Sequence, residues 1–132
     1  MRRRFAALAV AAAVLSGVPL AAHHSFGGTY NVDRQITIKG KIVQLTLRSP
    51  HSFVYVEVQD ADGAAQRWTI EGASAQQFAQ QGFDRDAFKV GDPVEIVGNP
   101  SRSPNSTRAR LITITRTTDG RTWGSRAGEV VN

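Results

Sequence analysis

Residues 35 to 47, Gln35-Ile36-Thr37-Ile38-Lys39-Gly40-Lys41-Ile42-Val43-Gln44-Leu45-Thr46-Leu47, decide how this chain folds. Ile36, Ile38 and Ile42 hold one parity with Gly40 between them, whereas Val43, Leu45 and Leu47 hold the other. Side chains alternate strictly along a strand, so a run that buries both sets must change faces through a bulge or sharp bend, expected between Gly40 and Val43. A long first strand bent in this way is how a small barrel turns a corner.

Downstream, Pro50 and His51 interrupt the run. From Phe53 to Val58, Val54, Val56 and Val58 alternate with Phe53, Tyr55 and Glu57, the pattern of a second strand. Asp60-Ala61-Asp62-Gly63 is a hairpin turn, and Arg67 to Glu71 gives a third strand that points Trp68 and Ile70 one way. Ser74 with Gln77 forms a capping box for a short helix over Ala75 to Gln81 that Gly82 ends, and a further turn is expected over Asp84 to Phe88. Val94 to Val97 reads as strand four and Asn99 to Ser106 as a loop. Arg108 to Thr115 reads as strand five, with Ile112 and Ile114 on one face. The chain is therefore all-β with one short helix. Its order β-β-β-α-β-β is that of a five-stranded OB-like barrel plugged at one end by the helix, with an open β-sandwich of the same strands as the alternative.

Upstream, Arg2-Arg3-Arg4 precede an Ala/Val/Leu stretch to Leu15, then Ser16, Gly17, Pro19 and the small pair Ala21-Ala22. This is the layout of a cleaved signal peptide over residues 1–22, and the arginines also fit in part the twin-arginine route for folded cargo. The apolar stretch falls short of the roughly 18 residues of an anchor, so the mature chain is expected to be periplasmic or secreted, with no membrane anchor. Residues 23–33 read as an irregular arm with Phe26 and Tyr30 as apolar pins, 34–116 as the barrel domain, and 117–132 as a final turn and frayed polar tail carrying Trp123. Removing residues 1–22 takes three of sixteen basic residues and none of the eleven acidic ones, which leaves a net charge of +2. About 110 residues remain, enough for one domain and too few for two. The absence of cysteine excludes thiolate catalysis, thiolate metal ligands and a lipidated cysteine anchor.

Chemistry concentrates at the new N-terminus, where two of the three histidines, His23 and His24, stand beside the cleavage site. Cleavage after Ala21 gives Ala22-His23-His24, whose amine, two amide nitrogens and third-position imidazole can surround Cu(II) or Ni(II) in a plane. Cleavage after Ala22 makes His23 the first residue, so its amine and imidazole chelate one copper and leave room for another imidazole. That arrangement resembles the histidine brace of copper monooxygenases. His51 is the candidate third ligand, and reach decides whether it can serve. The arm from His23 to Arg34 spans at most roughly 36 to 40 Å, and a straight first strand would be about 46 Å long. A site of all three histidines thus requires the arm to fold back along the barrel. The plainer readings are a solvated terminus for His23 and His24, and a turn residue for His51.

OB barrels commonly bind single-stranded nucleic acid with stacked aromatics and a basic groove, and here Phe53 and Tyr55 share a strand face while Arg67, Arg108 and Arg110 are candidates to lie near one another; the Phe53 and Tyr55 face is also a candidate docking surface for a protein or glycan. Nucleic acid is disfavoured as a partner by the small mature charge and by export. Glu57, Glu71 and Glu95 alternate with apolar residues and are expected to face solvent. No serine sits in a nucleophile elbow and Gly27-Gly28 lacks the context of a phosphate loop, so no catalytic residue is assigned.

Taken together, His23-His24-Ser25-Phe26, Ser49-Pro50-His51, Trp68-Thr69-Ile70-Glu71-Gly72, Gln81-Gly82-Phe83 and Lys89-Val90-Gly91-Asp92-Pro93-Val94 resemble a bacterial family of small exported proteins of unknown function. The resemblance spans nearly all of the mature chain. The family commonly has Asn-Pro-His where this chain has Ser49-Pro50-His51, and Gly-Trp where it has Gly82-Phe83. It implies a stand-alone exported domain, similar to periplasmic OB-fold proteins that bind small or cationic ligands. The first reading is an exported binding protein that holds copper or a similar divalent ion through His23, His24 and His51 without turnover. The second is an interaction module working through Phe53 and Tyr55. The third, a copper-dependent oxidase, requires His23 to be the first residue.

Overall fold

Strand β1 (Ile36–Thr46) changes faces where its sequence demands it, in a computed structural model that describes residues 26–83 and 86–124. Its first half pairs antiparallel with β4 (Pro93–Pro100), Ile38 opposite Ile96 and Gly40 opposite Val94. Its second half pairs with β2 (Phe53–Gln59), Ile42 opposite Val56 and Leu45 opposite Val54. Three steps along β1 therefore match two along β2, and the slip between Ile42 and Gln44 is a bulge at Val43 that returns Leu45 to the core. The bend also needs a glycine for close approach: a Cβ on Gly40 would lie 2.2 Å from the Glu57 carbonyl oxygen and 2.7 Å from Val56 Cγ1.

The hairpin from β2 into β3 (Ala65–Glu71) forms at the expected turn, where Asp60 Oδ1 accepts from the amides of Asp62 at 3.0 Å and Ala64 at 2.9 Å. Strand β5 (Arg108–Arg116) then lies antiparallel to β4 and parallel to β3, with Thr69, Ile70 and Glu71 opposite Arg108, Ala109 and Arg110. This parallel pairing closes β1-β2-β3-β5-β4 into an OB barrel and excludes the open sandwich. β3 covers only the start of that edge of β5. The rest is covered by β6 (Thr122–Gly124), which pairs Thr113 with Gly124 and Thr115 with Thr122, so an exposed strand edge is avoided.

Three details differ from the sequence reading. β4 runs on through Asn99 to Pro100, where a loop was expected. A second register slip, opposite Val97 and Gly98, makes Ile112 the extra residue of β5; Ala109, Leu111 and Ile114 face the core, not Ile112 with Ile114. The turn after Thr117 leads into β6 before the chain reaches residue 125, so Trp123 is a packing residue. Its ring meets Phe78 at 4.7 Å and Phe83 at 5.0 Å between centroids, and its Nε1 donates to the Gln81 carbonyl at 3.2 Å.

Helix α1 (Phe26–Thr29) forms in the arm, which was expected to be irregular, so the described residues hold two short helices and not one; α2 (Ala75–Gln80) starts at the predicted Ser74–Gln77 capping box. Phe78 of α2 joins Phe83, Phe88 and Trp123 in an aromatic plug for one end of the barrel, above an interior of Ile38, Ile42, Val54, Val56, Ile70, Ile96 and Ile114. Among the described residues no helix is long and apolar enough to cross a membrane.

Candidate functional site

The arm is laid against the barrel by its own backbone. In α1 the Tyr30 amide donates to the Phe26 carbonyl at 2.7 Å, and Tyr30 then bridges Ser101 just beyond β4. Around that bridge the Asn31 amide donates to the Pro100 carbonyl and the Arg102 amide to the Thr29 carbonyl, both at 2.9 Å. Arg102 Nε adds a bond to the Gly27 carbonyl at 2.7 Å. Asn99, a buried polar residue, donates through Nδ2 to the carbonyls of Arg34 at 2.7 Å and Val32 at 3.3 Å. These bonds satisfy the arm's polar groups at the barrel surface and steer Phe26 toward the point where β3 meets β5.

His51 occupies that point. It follows the cis Ser49–Pro50 peptide and precedes Ser52, whose buried side chain accepts from the Arg48 amide and donates to the Arg48 carbonyl, both at 3.2 Å. Ser52 also exchanges backbone bonds with Ala73 and Gly72, which ties the loop to the end of β3. The Phe26 ring meets the His51 imidazole edge to face at 5.5 Å, and Arg110 Cζ lies 4.3 Å from the Phe26 centroid on its other contact. The arm pins expected from sequence, Phe26 and Tyr30, are thus both engaged.

Glu71 joins these pieces. Its side chain is only 13 % exposed, contrary to the solvent-facing position expected, because the parallel β3–β5 closure and the arm cover it. Oε2 accepts from the Tyr30 hydroxyl and from Arg108 Nη2, the latter at 3.2 Å. Oε1 lies 3.3 Å from His51 Nδ1, a buried atom that has no aligned hydrogen bond among the described residues. Burial, and next the bond to Glu71, push the Tyr30 phenol well above its usual range, so it stays a neutral donor. Nδ1 is turned inward and the His51 side chain as a whole is 36 % exposed, so Nε2 is the ring nitrogen not directed at Glu71.

The second predicted surface lies alongside. Phe53 and Tyr55 are tilted neighbours at 6.3 Å, with Arg48 Cζ 5.4 Å from the Phe53 centroid and Arg67 Cζ 4.5 Å from that of Tyr55. Arg67 also donates to Gln44 Oε1 at 2.7 Å. The three arginines divide: Arg67 serves Tyr55 and Gln44, whereas Arg108 on Glu71 and Arg110 over Phe26 both belong to the His51 corner. Because Phe53 stands directly opposite Glu71 in the β2–β3 register, the aromatic face runs into the His51 corner. His23 and His24 lie outside the described residues, among which no group of three or more His, Asp or Glu side chains forms a metal-holding cluster. Glu71, Tyr30, Arg108 and Arg110 were not picked out as one site from sequence. Their one advance sign was two aromatics in an otherwise polar arm.

This chain belongs to DUF6152, a family of unknown function whose family model matches residues 10–110. No curated protein matches it. Among solved structures it is similar to the mitochondrial single-stranded DNA-binding protein Rim1 of S. cerevisiae. In one crystal form of Rim1 the TM-score is 0.50 at 13 % identity over 64 % of this chain and 92 % of that one. A second form gives 0.48 at 15 % identity, covering 64 % and 93 %. A small single-stranded DNA-binding protein from Streptomyces coelicolor gives 0.34 at 15 % identity, covering 74 % and 97 %. At such identity the likeness to the first form is one of fold, and it agrees with the OB barrel.

Proposed function

We propose that this protein is an exported binding protein that holds a divalent transition metal, copper(II) foremost, between the start of its mature chain and His51. The observation that carries the reading is the contact between the Phe26 ring and the His51 imidazole. A site of all three histidines required an arm folded back on the barrel, and Phe26 belongs to that arm. His24 is two residues from Phe26 and His23 three, so at most about 7 and 11 Å of extended chain separate them from a residue already touching His51. Imidazole nitrogens and a free amine suit Cu(II), and the part of the arm from Phe26 onward is already laid on the barrel by its own bonds. Binding without turnover is the reading adopted; a copper oxidase remains tied to His23 as the first residue.

Two measurements test this. The exact mass of the exported protein fixes the mature terminus to the residue. Cu(II) titration followed by electron paramagnetic resonance then compares the wild type with His51→Ala and with the double variant His23→Ala/His24→Ala. One tight equivalent in the wild type, lost in the double variant and weakened at least tenfold in His51→Ala, is expected. Unchanged affinity in the double variant would sink the proposal, and unchanged affinity in His51→Ala would reduce it to a chelate local to the terminus.

A second reading rests on the Phe53–Tyr55 face. Two aromatic rings accompanied by Arg48 and Arg67 offer stacking and cationic contacts, the chemistry of single-strand binding on an OB barrel. The similar structure at a TM-score of 0.50 is of a single-stranded DNA-binding protein, and this likeness supports single-stranded nucleic acid ahead of protein or glycan for that face, against the low weight that the small mature charge and export gave it. Anisotropy of a labelled oligothymidine at low salt, with Tyr55→Ala as the control, decides it: no binding by the wild type removes this reading.

A further inference from the structure

We infer that Glu71 is the positioning residue of the His51 site: it holds the imidazole proton on Nδ1 and so presents Nε2, with its lone pair, to the metal. The consequence for metal rests on the reading above, but the geometry of the metal-free protein carries the assignment.

The two carboxylate oxygens of Glu71 have different duties. Oε2 receives the Tyr30 hydroxyl and Arg108 Nη2. A guanidinium has no acceptor, so this corner of the side chain must be an oxygen. Oε1 is thereby fixed opposite His51 Nδ1 at 3.3 Å, and Nδ1 is buried with no aligned partner among the described residues. An unprotonated Nδ1 would set its lone pair against a carboxylate oxygen in a buried place. A protonated Nδ1 faces an acceptor there. Neutral imidazole carries one proton, so Nε2 is left as the donor atom toward a metal. The Phe26 ring packs against the imidazole, and the loop that carries His51 is tied through Ser52. A carboxylate behind a ligating histidine fixes its tautomer and raises its basicity.

Glu71→Gln is an informative change because it keeps the shape and inverts the chemistry. Arg108 still demands an oxygen, so the amide nitrogen of the glutamine turns to His51 and donates to Nδ1. The imidazole proton must then move to Nε2, the position the metal needs. The experiment is nitrogen NMR of ring-labelled histidine in the metal-free mature protein, followed by Cu(II) titration of the same samples. Nδ1–H in the wild type and in Trp123→Phe, Nε2–H in Glu71→Gln, and Cu(II) affinity lowered about 10- to 100-fold in Glu71→Gln alone are expected. Trp123→Phe loosens the aromatic plug and removes the bond to the Gln81 carbonyl, away from Glu71 and His51, so it reports purely structural damage. Nε2–H at His51 in the wild type overturns the assignment, as does an equal loss of affinity in both variants. The expected tautomers with no copper at His51 in the wild type would uphold the role of Glu71 and overturn the metal reading.

Discussion

Replacing Phe26 with alanine should release the arm while leaving the barrel folded. Among the described residues Phe26 makes three ring contacts: the imidazole of His51 at 5.5 Å, the ring of Tyr30 at 6.3 Å and the guanidinium of Arg110 at 4.3 Å. Aromatic pairs contribute about 0.5 to 1.5 kcal/mol beyond burial, and an exposed cation–π contact about 0.5 to 1. Because the contacts share one ring and are not additive, the expected loss of docking energy is about 1 to 3 kcal/mol, a rise of about 5- to 150-fold in the population of the undocked arm. None of this energy belongs to the interior of Ile42, Val56 and Ile96, so global stability should change little. Native-state amide hydrogen exchange reads the effect directly. Protection should fall by that factor at Tyr30, Asn31 and Arg102, whose amides bond to Phe26, Pro100 and Thr29, and stay constant at Val56 and Ile96. Unchanged exchange at the three arm amides would refute the view that Phe26 holds the arm, and loss of protection throughout would refute its separation from the barrel.

Other outcomes follow from the same structure. Gly40→Val should prevent folding or cost several kcal/mol, since a Cβ there would meet Glu57 O at 2.2 Å and main chain cannot yield cheaply; circular dichroism and a denaturant midpoint measure this. Trp123→Ala opens the plug at Phe78 and Phe83 and should cost about 2 to 4 kcal/mol, lowering Tm by about 10 to 25 °C, whereas a frayed tail would give no change. Asp119 is held down to about 2 from the ordinary 3.8 by hydrogen bonds from Arg116, then by the Arg121 amide. Its folded value is the lower one, so its contribution is present above about pH 4 and is lost as pH falls toward 2; the difference in denaturant midpoint between the wild type and Asp119→Asn should shrink across that window, and a constant difference would refute the pairing.

Much of the barrel was legible because it is written in periodicity. The parity change between Ile42 and Val43 required a bulge, Asp60 to Gly63 required a turn, and Ser74 with Gln77 required a helix start; each is a local matter of side-chain spacing or backbone capping. The errors fall where partners are distant. Ile112 was misassigned because its bulge is defined against Gly98 on another strand, and the strand at Thr122–Gly124 was missed because three residues carry no period. Trp123 is drawn in by Phe78 and Phe83, some forty residues earlier in the chain.

The candidate site divides in the same way. From its residues alone the chain gives an all-β architecture with a bent first strand, because composition and spacing are properties of the chain itself; the leader over residues 1–22 and the nitrogen donors at His23, His24 and His51 are expectations of the same kind. Whether those donors can meet was not decidable there, since extended lengths permitted the encounter without requiring it. It took the closure of β3 on β5, and the backbone bonds that fold the arm along the end of β4, to set Phe26 on His51. The same closure withdrew Glu71 from solvent and gave it Tyr30, Arg108 and His51 as neighbours. A strand pattern marks a carboxylate as facing outward from its own sheet; only long-range packing settles what then covers it.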